Sequence, residues 1–509
     1  MSIFMIKLKR TNGILLHISS LPGSYGIGEI GPEAVTFIDD LVEMGQTLWQ
    51  ILPDNPTDEY HSPYSATSVF AYNPLLISID NLIRDGWLNL NDVRDYPETN
   101  LEKVNYLKFK KFKENLLLIA ADNFKKTKKN NQKFDFENYC KKNQFWLDDY
   151  ALFCTIQNIL NEQEWIKWPS SYRFFDRIAI ENIIKKHRDK INQIKIIQFL
   201  YDTQWKELKS YANHNGIKII GDIPIYVSFN SVDVWVNQKL FKLDENSKMR
   251  FQSGCPPDSF VKTGQVWGHP IYDWNMHEKD NFNWWINRIL FLYNRVDIIR
   301  IDHFNGFAKY WEIPASDNHG LNGKWKEGPG KLFFEKVFDK IKSKIILAED
   351  LGEAYNDAKK IRDVFNIPGM RILQFSFGNG DPYHNMDQNT VLYTGTHDNS
   401  TCVGWFNQLF NDKESNSEKN SINLADEVIK YIDDKSSDPI HWKMIFYAMS
   451  SKASYCILPL QDILGLDNNS RMNVPGTIGN NWIWRYKKEL LNEAIKEKLK
   501  LITQEVNRI

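Results

Sequence analysis

Four acidic residues each stand at or just beyond the end of a short apolar run: Asp222 in IKIIGDI, Asp302 in IIRID, Glu349 in IILAE and Asp398 in YTGTHDN. Two carboxyl groups about 5 Å apart can break a glycosidic bond with retention, one as nucleophile and the other as the acid that protonates the leaving oxygen. Two neighbouring strand ends can supply that spacing, and Asp302 and Glu349 lie on consecutive apolar runs. Arg300 precedes Asp302 by two residues, so on an extended strand both side chains face the same way. A guanidinium there would keep Asp302 ionised by charge and hydrogen bonding. Glu349, buried beside the Asp302 charge, is then expected to have a raised pKa and to be the acid. Asp398, preceded by His397, is left to hold sugar hydroxyls, although His397 also reads as a satisfied structural histidine. Any one of these acids alone reads more simply as a helix cap or a loop residue. Their recurrence carries the argument, and it leaves the individual roles open.

The elements that position them follow from periodicity. GILLHI (13–18) leads through a turn-rich stretch to Ala34, Phe37, Ile38, Leu41 and Val42, spaced as one face of a helix. TLWQILP, IKIIGDI, IIRID, IILAE, MRILQF, VLYTGT and SYCILP supply seven further strands, with helical patterns such as 203–214 and 331–343 between them. Strand and helix repeated eight times predict an α/β fold, a (β/α)8 barrel, whose strand C-terminal ends open on one face. Residues 1–509 are read as one catalytic barrel domain, 80–200 as an inserted, mostly helical subdomain, and 228–285 as a loop-rich insertion carrying a substrate lid. KKTKKNNQK (125–133) and NDKESNSEKN (411–420) read as solvated loops.

The chain has 63 Lys and Arg against 64 Asp and Glu, so no field gathers nucleic acid or an anionic membrane. The expected ligand is neutral. Seventeen Trp, many beside Gly, Pro and Asn, suit stacking on sugar rings as well as filling a core. Five scattered cysteines without a C-x-x-C pair, and no acidic loop of calcium-binding spacing, predict neither disulfides nor a metal, and no cofactor is expected. The N-terminal residues lack a signal-like apolar region and no run of 18 apolar residues occurs, so a cytoplasmic location is expected.

One motif points elsewhere. GIGEIG (26–31) matches the dinucleotide fingerprint G-x-G-x-x-G, with Asp54 placed as a ribose-binding acid. Pro22, Gly23, Ser24 and Tyr25 separate the strand from the first glycine, whereas the fingerprint needs that glycine in the tight turn itself. The loop is therefore read as a turn at the barrel mouth.

Across nearly the whole chain, GILLHISSLPGSYGIGEIG, WQILP, HSPYSATSVFAYNPLLI, GDIPIYV, TGQVWGHPIYDW, RIDHFNGF, GKWKEGPG, AEDLG, PGMRILQF, YTGTHDN, PLQDILGL and RMNVPGT follow one another in order. In these segments the chain resembles the 4-α-glucanotransferases of the amylomaltase, or disproportionating-enzyme, type. The resemblance implies a retaining transferase acting on α-1,4-glucans and malto-oligosaccharides, with Asp302 as nucleophile, Glu349 as general acid/base and Asp398 as transition-state stabiliser, supported by Arg300 and His397. It further implies Tyr64 as a stacking platform, with Ser62, Asp222, Gln265, Trp267 and Asn473 lining the groove and the TGQVWG loop as a lid. Asn473 reads equally as a turn residue before Val-Pro-Gly. Without the resemblance, transfer and hydrolysis stand level. The sequence departs from the family's usual residues at DEYH (58–61), where Gly-Tyr-Gly-Asp is usual, at Ser259, where an aromatic is common, and at Asn305, His269 and Asp54 in place of Arg, Asn and Leu.

Overall fold

The computed structural model describes the chain except for residues 1–7, 98–99, 129, 258–261, 343, 378–385, 415–418, 433–435 and 509, and describes the backbone alone at 411–414 and 419–423. Among the described residues, eight parallel strands close a barrel: β1 (Thr11–Leu15), β2 (Leu48–Gln50), β3 (Lys218–Pro224), β4 (Ile298–Asp302), β5 (Ile345–Ala348), β6 (Gly369–Ile372), β7 (Thr390–Tyr393) and β8 (Tyr455–Pro459). Each pairs with its sequence neighbours, and β8 returns to β1. The eight apolar runs are these eight strands. They are short and rich in Ile, Leu and Val because a parallel sheet covered by helices is buried on both faces. Ile299 and Ile301 on β4, for example, are fully buried.

The helix after β1 runs over Pro32–Glu43. It buries Ala34, Phe37, Ile38 and Leu41, but Val42 is 46 % exposed, because that position has turned past the edge of the apolar stripe. Two of the expected loops are helical. Helices Tyr106–Lys126 and Asn130–Leu160 leave only a short break inside 125–133. Helices Cys402–Glu414 and Lys419–Ile432 enter 411–420 from both sides, and only 415–418 lie outside the described residues. A solvated helix face and a loop have the same polarity in sequence, so polarity alone did not mark a loop.

Between β2 and β3 stand the long helices Tyr106–Lys126, Asn130–Leu160 and Arg188–His214. The last contains the expected 203–214 segment and starts fifteen residues earlier. After β3 and β4, Phe251–Cys255, Gln265–Pro270, Lys309–Pro314 and Lys324–Glu327 form a second, antiparallel sheet. The TGQVWG segment is therefore carried on a sheet that draws half its strands from beyond residue 285. No helix among the described residues is long and apolar enough to cross a membrane.

The GIGEIG loop is held by packing. A Cβ on Gly28 would lie 1.9 Å from the Ile18 carbonyl oxygen, and one on Gly31 would lie 2.2 Å from Ser78 Oγ. Glu29 of the same loop forms a buried ion pair with Lys113 of the Tyr106–Lys126 helix. Its glycines permit close approach of protein to protein, which leaves no place for a pyrophosphate. Asp54 is equally committed: it pairs with Arg295 at 2.5 Å and accepts from Tyr201 Oη at 3.0 Å, with both charged side chains buried.

Removing one member of a buried pair strands the other, a cost of about 3–5 kcal/mol, whereas replacing both by apolar residues is often neutral. Arg295→Met should therefore lower stability by about that amount in denaturant unfolding, and the Asp54→Leu, Arg295→Met double variant should recover most of it.

Candidate active site

The register of the barrel brings the first acids together. Asp222 on β3 is the direct partner of Arg300 on β4, Pro224 that of Asp302, and Ile301 that of Ala348 on β5. Glu349 continues the ladder, its N–H donating to the Ile301 carbonyl at 3.0 Å. Arg300 sits at the centre, 3 % exposed. Its Nη1 donates to Asp222 Oδ2 at 2.6 Å and to Asp302 Oδ1 at 3.1 Å, and its Nη2 to Glu349 Oε2 at 2.9 Å. Beyond Asp302 the chain turns through His303 in the left-handed region, φ +49°, and the His303 N–H donates to Glu349 Oε2 at 2.9 Å.

This geometry shifts the two carboxyls in the directions opposite to those expected. Burial and the Glu349 charge push the Asp302 carboxyl well above the usual carboxylate range, which Arg300 only partly offsets. Burial raises Glu349 as well, but Arg300, a hydrogen bond from Asp302 and the His303 N–H outweigh it, and Glu349 falls below its ordinary value. The reason is donor allocation. Nη1 is divided between Asp222 and Asp302, while Glu349 receives Nη2 and a backbone N–H. The two carboxyls titrate as a pair.

Asp398 lies beyond β7 and is held from other directions. Asn473 Nδ2 donates to its Oδ1 at 2.6 Å, His397 Nε2 stands 3.3 Å from its Oδ2, and Arg471 donates to its carbonyl at 2.7 Å. Burial opposes ionisation, yet the His397 ring and the Asn473 amide bring its pKa down to about 2. The Asn473 N–H in turn donates to the His397 carbonyl at 3.1 Å. Tyr64 stacks on His397 with ring centres 4.9 Å apart and donates to Asp222 Oδ2 at 2.7 Å, joining the two halves of the site. His397 is thus both structurally satisfied and on the wall of the site.

Asp302, Glu349 and Asp398 line one cavity of about 580 Å³, with Ser62, Tyr64, Gln265, Trp267, His397 and Asn473 on its walls. Trp267 Nε1 donates to Gln265 Oε1 at 3.1 Å, and its ring meets His303 edge to face. Asp222 and Arg300 do not line the cavity; both are buried behind it. That corrects the expected place of Asp222 as a groove-lining residue: its Oδ2 accepts from Arg300 and Tyr64 and its Oδ1 is buried, while Arg300 stands behind the carboxyls it was expected to support.

Several wall residues escaped the sequence reading. Trp482, Tyr226 and His303 line the cavity, and Trp482 packs against both Tyr64 and His397. The cluster of Gly and Asn before Trp482 in IGNNWIW was the available signal. Of the departures, Asp58, Tyr60 and His269 are on the wall, and burial lowers His269 to about 4 and raises Asp58 to about 6. Asn305 is buried with its amide donating to the Leu351 carbonyl at 2.5 Å, and Ser259 lies outside the described residues.

The Glu349 charge raises the Asp302 carboxyl, so Glu349→Gln should lower the Asp302 ionisation midpoint. Carboxyl-carbon NMR of labelled aspartate reads this directly, and an unchanged midpoint would contradict that interaction.

The family model described as 4-alpha-glucanotransferase, of glycoside hydrolase family 77, matches residues 16–491. A Synechocystis 4-alpha-glucanotransferase is 39% identical over 97% of both chains, and one from Aquifex aeolicus is 37% identical over 98% of this chain and 100% of its own. The structure is similar to the amylomaltase of Streptococcus agalactiae, solved with acarbose, at a TM-score of 0.92 and 35% identity over 98% of this chain and 100% of that one. The Corynebacterium glutamicum amylomaltase, at 15% identity and a TM-score of 0.77 over 97% of this chain and 75% of its own, shares the fold. With three carboxylates from three strand ends in one cavity, and a match running from Leu16 to Leu491, the chain belongs to the 4-alpha-glucanotransferase family, glycoside hydrolase family 77.

Proposed function

We propose that this chain transfers α-1,4-glucan segments to the 4-hydroxyl of an acceptor glucan or glucose through a covalent glycosyl intermediate on Asp302. The observation that carries the reading is the convergence of Asp302, Glu349 and Asp398 on one cavity with aromatic walls. With the donor bound, Glu349 carries the proton of the carboxyl pair, which leaves the Asp302 carboxylate to face the anomeric carbon. Asp302 attacks that carbon while the bond to the leaving oxygen breaks, and Glu349 gives that oxygen its proton. Glu349, now ionised, removes the proton of the incoming 4-hydroxyl, whose oxygen displaces Asp302 with a second inversion. Asp398, ionised to low pH, suits hydrogen bonding to ring hydroxyls as positive charge builds on the sugar.

Arg300 and Asp222 act from behind the cavity as positioning residues. Tyr64, Trp267 and Trp482 offer aromatic faces to the sugars, and Gln265 holds Trp267. The TGQVWG segment, braced on the antiparallel sheet, serves as the lid that favours a sugar acceptor over water. We place the protein in the cytoplasm on its cysteine usage, without nucleic-acid or membrane partners.

Incubation with maltotriose tests the reading. Transfer releases glucose together with longer oligomers while reducing ends stay constant, whereas rising reducing ends with only shorter products would identify a hydrolase. Asp302→Asn should lower the transfer rate on the order of 10³-fold or more, as loss of a covalent nucleophile does. A glycosyl adduct trapped on another residue would displace Asp302 from this role.

A further inference from the structure

A cavity larger than the catalytic one lies away from the reacting acids. About 950 Å³ in volume, it is bounded by helices Asn130–Leu160, Arg188–His214 and Asn283–Arg295 and shares no lining residue with the catalytic cavity. Its size is within the roughly 300–1,000 Å³ usual for ligand pockets. A second cavity of about 250 Å³ adjoins it at Phe145 and Asn287, so the groove continues along the helices.

Each helix gives one face to the groove. Asn138, Lys142 and Phe145 follow one another at four and three residues, and Asn287 and Asn294 are two turns apart, so each set points the same way. All five are exposed at the rim, Phe145 by 51 %. The floor is apolar and aromatic, with Phe199 and Phe291, and contains Tyr139, whose buried hydroxyl has no hydrogen-bond partner. The charges on the wall are largely matched within the protein: Arg84 with Asp85 and Glu207 at 2.7 and 2.8 Å, Lys206 with Asp202 at 2.5 Å, and Arg295 with Asp54.

An ionic ligand would have to displace those pairs. A neutral chain with flat apolar faces and hydroxyl edges would not, because ring faces and rim amides suit the two sides of a pyranose. We propose that this groove is a second, non-catalytic docking site for an α-glucan chain. It rests on the glucan-transfer reading for the identity of the ligand. The continuous groove fits several consecutive sugars, so it holds long polymers near the enzyme and makes no demand on a trisaccharide.

The test uses Asp302→Asn protein, which does not consume the ligand, run through native gels containing amylopectin. Adding Asn287→Ala and Asn294→Ala should raise the apparent dissociation constant about threefold or more, the scale of one or two lost neutral hydrogen bonds. Phe145→Ala, made separately, should do the same. In the otherwise native enzyme the same changes should leave maltotriose disproportionation unchanged and weaken activity on amylopectin at low concentration. Unaltered retardation in both variants would overturn the docking site. Loss of maltotriose disproportionation in parallel with retardation would also overturn it, by showing a general defect. Absence of disproportionation in the unmodified enzyme would instead count against the glucan-transfer reading, so the two failures are distinguishable.

Discussion

A single buried guanidinium organises the catalytic half of the barrel. Arg300 faces three carboxylates, and its donors are divided unequally among them. The division of donors leaves the Asp302 carboxyl raised and that of Glu349 lowered. Asp222, out of contact with the cavity, anchors the guanidinium from behind and orients Tyr64. It thereby links the Arg300 cluster to the separate arrangement of His397, Asn473 and Asp398.

The outer elements fix the frame around this cluster. Arg485 is almost fully buried and donates to the Leu21, Gly23 and Asn100 carbonyls, tying the loop after β1 to the segment before the Tyr106–Lys126 helix. The Glu29–Lys113 pair joins the same loop to that helix, and Asp54–Arg295 joins the end of β2 to the helix before β4. These contacts bury charge, which contributes little net stability but penalises every arrangement that leaves one partner alone. The effect is specificity in how the loops leave the strands.

Two residues of the cavity wall carry strained backbone. His303 and Trp482 both adopt left-handed φ values, +49° and +63°, and both line it. A bulky residue holds such a conformation only when its surroundings fix it. At His303 the turn accompanies an N–H bond to Glu349, and Trp482 is fixed by its N–H bond to the Met472 carbonyl and by packing on Tyr64 and His397. Trp482 also backs Tyr64 on the cavity wall.

The sequence by itself determined the eight strands, because buried parallel strands must be nearly continuous runs of Ile, Leu and Val, and it pointed Asp302, Glu349 and Asp398 to one face, because the C-terminal ends of parallel barrel strands open together. Its ordered motifs also marked the family. Charge runs such as KKTKKNNQK were ambiguous, since an exposed helix face and a loop have the same polarity. Only the tertiary structure decided which of the two carboxyls is raised and which lowered, that Asp222 and Arg300 lie behind the cavity, and that Asp54 is spent on Arg295. Those outcomes depend on how a few donors are shared across strands distant in sequence. A side chain's partners, unlike its periodicity, are set by register and packing, and neither is written in any one segment.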